Sequence, residues 1–155
     1  MQNSRINLSN AQSQNWMLII GGSSDIMFKS KNFNIPTVSC GVTPLGGTES
    51  RQFVTVGDHL ELDDMSYEFL VDSDYKNFEA IFDWITSNVE TGTVKYEDVT
   101  VELLDSNGHS RGLKIVFTNA WPIMLSTIPL DSENADTDMQ CSVSFRYDRF
   151  YFERR

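Results

Sequence analysis

The chain has 155 residues, 40% of them hydrophobic and 12% aromatic, which fits one folded domain with a real core and excludes a disordered chain. Twelve Lys and Arg against 22 Asp and Glu leave a net charge of −10, a poor surface for gripping nucleic-acid phosphates. No apolar run approaches the roughly 20 residues of a membrane span, and the opening MQNSRINLSNAQSQNW lacks the apolar centre of a signal peptide, so a cytosolic protein without a membrane anchor is expected.

Residues 1–14 are polar, rich in Asn, Ser and Gln and free of periodicity, which predicts a flexible N-terminal arm ordered only by a neighbour. Residues 15–155 then read as a single domain, mainly β with one helix. NWMLII leads to a Gly21-Gly22 turn, and NFNIPTVSC follows as a second strand. Cys40 and Cys141 each lie in an apolar strand-like run and are expected as buried free thiols, being too few and too far apart for a disulfide framework.

Residues 41–64, GVTPLGGTESRQFVTVGDHLELDD, form a long excursion with one short strand candidate around Phe53 to Val56, and long excursions in small domains usually carry a function. GVTPLGGT has the glycine spacing and terminal Thr of a phosphate-binding loop, but Gly47 stands where the lysine must be and no helix follows. DMSYEFLVD next alternates Met65, Tyr67, Phe69 and Val71 against Ser66, Glu68 and Leu70, a half-buried strand.

SDYKNFEAIFDWITSN, residues 73–88, is the one convincing amphipathic helix, with Asp74 as expected N-cap and Phe78, Ile81, Phe82 and Ile85 as its apolar stripe. DVTVELLDSNGHSRGLKIVF predicts a hairpin with Val99, Val101 and Leu103 facing Leu113, Ile115 and Phe117. In TNAWPIML, Pro122 argues for a strand start or an edge. After the acidic loop DSENADTD, MQCSVSFRYDRFYF gives the cleanest alternation in the chain, from Met139 through Cys141, Val143 and Phe145 to Tyr147.

Chemistry is sparse. Asp131, Glu133, Asp136 and Asp138 lack the spacing, glycine and closing glutamate of a calcium loop and read as a solvated hairpin tip. His59 and His109 fall in separate loops with no metal-ligand spacing and no nucleophile elbow. Trp16, Trp84 and Trp121 sit in or beside apolar patterns and are expected in the core rather than in a carbohydrate site. No catalytic, cofactor-binding or metal-binding residue is singled out, so a non-enzymatic protein without cofactors is expected.

The order of several landmarks resembles the tail-tube proteins of contractile-tailed, T4-like bacteriophages and the tube-like domains of their baseplate tube initiators. These landmarks are VGDHLELDD at 56–64 leading into MSYEFLVD, the helix DYKNFEAIFDWI, FTNAWPI with Trp121 and Pro122, and the closing strand CSVSFRYDRFYFE. The likeness runs from about Asn15 to Glu153 and rests on order and spacing, since each pair of residues alone is common.

That resemblance implies two packed antiparallel sheets, a β-sandwich or barrel, flanked by one helix. Six subunits would join strands into a ring, and rings would stack head to tail into a tube for the genome. It makes Phe78, Ile81, Phe82 and Ile85 helix core residues; the assembly loop at about 41–64, with Thr48, Arg51, Phe53 and Asp58, and the polar N-terminal arm are the candidates for contacts between rings. In such a tube the net −10 would serve a lumen biased to Asp and Glu that lets DNA slide, with Glu102 as a lumen-facing candidate, or would keep subunits soluble before assembly. Expected partners are further copies of the chain, a tail sheath protein, a baseplate tube initiator, a tail terminator, and DNA only in transit. Alternatives are a baseplate initiator ring, the tube of an injection or secretion machine that carries protein, and a monomeric β-sandwich module binding sugar or peptide.

Overall fold

The computed structural model describes residues 16–21, 29–48, 51–105, 107–133 and 138–155. The expected N-terminal arm over residues 1–14 and Asp136 of the acidic loop lie outside them. The described residues form nine strands and one helix, in chain order β1 (Trp16–Ile20), β2 (Lys29–Phe33), β3 (Val38–Thr48), β4 (Arg51–Leu62), β5 (Met65–Leu70), α1 (Lys76–Thr91), β6 (Glu97–Leu104), β7 (Ser110–Leu125), β8 (Gln140–Arg146) and β9 (Arg149–Arg154).

All pairings are antiparallel. One sheet runs β1-β6-β7-β9 and the other β7-β8-β5-β2, so β7 belongs to both. Period-2 alternation sends Leu18, Ile20, Val99, Val101, Ile115 and Phe117 inward from the first sheet, and Met65, Tyr67, Phe69, Cys141, Val143 and Phe145 from the second. Trp16 against Phe33 and Phe33 against Phe117, both at 5.9 Å between ring centres, join β1, β2 and β7 across the sandwich.

The strand β7 changes sheet at a corner. Asn119 adopts φ 50°, a left-handed conformation that asparagine tolerates better than other side-chain-bearing residues. Its backbone N–H donates to Asp98 Oδ1 at 3.1 Å and its Nδ2 to Asp148 Oδ2 at 2.7 Å. Opposite it, Tyr147 and Asp148 break the long C-terminal alternation into β8 and β9. The inward phase therefore shifts from odd residues ending at Phe145 to Phe150, which packs on Phe117 at 5.2 Å. Pro122 does not start a strand but does lie on an edge: in the second sheet β7 is outermost and, among the described residues, pairs there only with β8, and Pro122 is buried opposite Phe145 beside a bulge that tolerates its missing N–H.

The helix starts later than the sequence suggests. Asp74 is not the N-cap; Tyr75 is, at φ 58° without a side-chain cap bond, and Asp74 pairs with Lys76 at 3.2 Å instead. The anchoring is done by buried Asn77, whose Nδ2 donates to the Leu70 carbonyl at 2.8 Å while its Oδ1 accepts from the Asp72 N–H at 3.0 Å. Gly92 at φ 64° ends the helix in the left-handed turn that glycine adopts without strain. Ile81 is fully buried, with Phe78, Trp84 and Ile85 packed against the same core. Phe82 departs from the expected stripe and is 52% exposed, because it lies about 100° around the helix from Ile81.

Candidate assembly surfaces

The excursion at 41–64 is no irregular loop. Together with the residues before it, it forms a two-stranded arm in which β3 and β4 pair only with each other among the described residues. Register assigns its faces, because directly paired residues point to one side. One side carries Val38 with Leu62, Cys40 with Leu60, Val42 with Val56, and Pro44 with Val54. The other carries Ser39 with Glu61 and Thr43 with Thr55, then Leu45 with Phe53 towards the tip. Hydrophobic residues that would normally be buried lie open, up to 73% at Val56, so the first side is an exposed apolar strip.

Cys40 belongs to that strip and is exposed, against the expectation of a buried thiol; Cys141 is buried, and burial raises its pKa. His59 stands on strand β4, not in a loop, with Nε2 3.2 Å from Glu61 Oε1. Its ring covers Gly41, where a Cβ would come within 2.6 Å, and a Cβ at Gly57 would collide with the Gly41 carbonyl. Of the phosphate-loop-like glycines, Gly41 thus serves close cross-strand packing, with Gly57, at a register shift. Thr48 pairs with Arg51 at the arm's end, Phe53 is 59% exposed, and Asp58 lies on β4 with its side chain outside the described residues.

The base of the arm is held to the body. The Asp63 N–H donates to the Thr37 carbonyl at 3.2 Å, and the Tyr147 hydroxyl donates to the Asp63 carbonyl at 2.7 Å. Arg146 Nε donates to Asp64 Oδ1 at 3.3 Å. Burial, reinforced by the Asp64 and Asp63 carboxylates, pushes the Tyr147 phenol up to about 12, which keeps it a donor.

A second surface is made of strand edges. Within the first sheet β1 pairs only with β6 and β9 only with β7, which leaves one side of each strand free among the described residues. The β1 strand, WMLII, has no charge, whereas β2, at one edge of the other sheet, reads KSKNF and carries a bulge. Lysines and bulges protect an edge from pairing, and β1 has neither.

The outward face of the first sheet is the third surface. Cross-strand register aligns Met17, Glu102, Lys114 and Glu153 in one row, and Ile19, Thr100, Val116 and Tyr151 in the next. Glu102 does point away from the core, but its neighbours leave it only 9% exposed, so it is no freely presented carboxylate.

Elsewhere His109 belongs to the β6–β7 turn, where its N–H and that of Asn107 donate to Asp105 Oδ1; those donors hold the Asp105 carboxyl below the usual range. Trp121 is half-buried and meets Tyr96 edge to face at 5.4 Å. No group of metal-ligating side chains occurs among the described residues, and no helix there is long and apolar enough to cross a membrane.

An antiparallel sandwich with an apolar arm, an uncharged open edge and one bracing helix defines a subunit built to contact other subunits. The profile of the phage tail tube protein family matches residues 8–153, and the chain belongs to that family. No curated relative matches it. Its fold is similar to a chain of the PVC sheath-tube complex of an extracellular contractile injection system in the extended state, with a TM-score of 0.74 at 15% identity over 96% of this chain and 95% of that one. It is also similar to a chain of the six-fold symmetrised anti-feeding prophage baseplate, at 0.71 and 11% over 93% and 95%. An Hcp protein matches at 0.56 and 14% over 91% and 93%. The family match makes the chain a structural protein of the tail-tube type, and these solved structures share its fold.

Proposed function

We propose that six copies close into a ring through the free edges of β1 and β9, and that rings stack through the apolar arm into the inner tube of a contractile phage tail, the conduit for its genome. The observation that carries this reading is the pair of open edges on one sheet. Strand β1 is antiparallel to β6, β6 to β7 and β7 to β9, so β1 and β9 run in opposite directions. Rotation about a ring axis preserves strand direction along it, and β9 of one copy meets β1 of the next antiparallel. The closed barrel satisfies every edge that a lone subunit exposes on this sheet.

The six-fold symmetry of the anti-feeding prophage baseplate supports the number six. Assembly in the host cytoplasm, a surrounding sheath, a baseplate initiator below and a terminator above complete the reading. Thr48, Arg51, Phe53 and Asp58 belong to the stacking arm, and the face with Glu102 lines the lumen.

One observation favours a second reading. The proposed lumen face holds Asp98, Glu102 and Glu153 against Lys114 and Arg149, a nearly balanced set, whereas a DNA conduit gains from acidic bias. A balanced bore suits a machine that carries protein.

Negative-stain electron microscopy with size-exclusion light scattering across a concentration series tests the proposal. Hexameric rings and tubes of constant bore are expected. Rings that never elongate would indicate an initiator, and a strict monomer that an added baseplate also fails to recruit would overturn the tube reading. Nucleic acid recovered from native tubes separates the DNA conduit from the protein conduit.

A further inference from the structure

The geometry points to Tyr147 and Arg146 as positioning residues that fix the direction of the β3–β4 arm and so decide whether rings stack; this rests on the tube reading above. The arm touches the body through a narrow root. Residues 34–37, with Pro36 buried, join it to β2, Asp63 and Asp64 join it to β5, and a hairpin on two such short tethers would otherwise swing about them.

Three contacts restrain that swing. The Asp63 N–H to Thr37 carbonyl bond closes the hairpin's own base, and the other two come from outside it: the Tyr147 hydroxyl on the Asp63 carbonyl at 2.7 Å and Arg146 Nε on the Asp64 carboxylate at 3.3 Å. The Tyr147 ring is itself seated against Phe117 at 5.0 Å and Phe150 at 6.1 Å, so the hydroxyl is aimed from a rigid aromatic cluster. Arg146 and Tyr147 occupy the junction where β8 ends and β9 begins. The latch therefore ties the arm to the junction that leads into β9, whose free edge faces a neighbouring copy in the proposed ring.

An arm held at one angle presents its apolar strip without first losing orientational freedom, and six arms per ring multiply a small loss at each. Tyr147→Phe keeps the ring in its cluster and removes only the donor. We expect Tyr147→Phe to leave the melting temperature and single rings intact while the critical concentration for tubes rises about tenfold. Arg146→Asp alone should also weaken stacking, and Arg146→Asp with Asp64→Arg should restore it.

A measurement on the unassembled subunit separates the latch from the tube reading. Spin labels at Thr43→Cys on the arm and Ser87→Cys on the helix, in a Cys40→Ser background, report the arm-to-body distance. A narrow distribution in the parent that broadens with Tyr147→Phe supports the latch whether or not tubes form. An unchanged distribution in Tyr147→Phe would overturn it, as would loss of rings and fold together with tubes.

Discussion

Ile81 and Phe82 are adjacent in sequence, yet the first is 1% exposed and the second 52%. Replacing Ile81 with Ala should cost about 2–5 kcal/mol through lost burial and a cavity among the core strands. Phe82→Ala should change stability by no more than about 0.5 kcal/mol; denaturant melts of the two variants check the contrast. Among the titrating groups, Tyr67 and Tyr147 are both raised, chiefly by burial, Tyr147 to about 12. The unfolded chain releases these protons near pH 10 while the folded chain retains them. Stability from the two phenols is thus fully present below pH 10 and falls as pH rises from 10 towards 12. Far-ultraviolet melts from pH 8 to 12 should show the decline, and Tyr147→Phe should make it shallower.

At the scale of elements, the arm is the most testable part. Val54→Lys and Val56→Lys put charge on the exposed apolar strip without touching the core, so the monomer's melting temperature should hold while tubes disappear in electron micrographs. Lys114 stands between Glu102 and Glu153, and Lys114→Glu would set three carboxylates abreast. Like charges directly opposite destabilise a sheet by roughly 0.2–1 kcal/mol per pair, a loss that thermal melts would register.

Legibility differs element by element for physical reasons. In β5, β6 and most of β7 one face packs on the core, so alternation in the sequence alone marks Tyr67, Val101 and Ile115 as inward residues. The arm is hidden because neither face of it joins the core among the described residues: Pro44 and glycines at 41, 46, 47 and 57 read as loop, while cross-strand pairing overrides their propensity. Phe82 misleads because four apolar residues fit a stripe, while polar Asn77 takes a place on the buried face. The switch from β8 to β9 is concealed by an aromatic run that keeps its rhythm on either side of the corner.

For the whole molecule, −10 per copy means that the proposed ring closure and stacking would bring like charges together. Raising ionic strength from about 0.01 to 0.15 M shortens the screening length from about 30 to 8 Å and should lower the critical concentration for tubes. Light scattering against salt measures this; a rise instead would mean that opposite charges meet across the contacts.

The corner at Asn119 and Asp148 has a mechanical meaning. Because β7 and the β8–β9 segment each pass from one sheet into the other, the two layers are joined by continuous backbone as well as by side-chain packing. A pull on β9 travels through covalent bonds into β8, the strand that carries Phe145 against Trp84 of the helix. A machine that drives its tube forward in one stroke would load each subunit along that line, where the chain is hardest to tear.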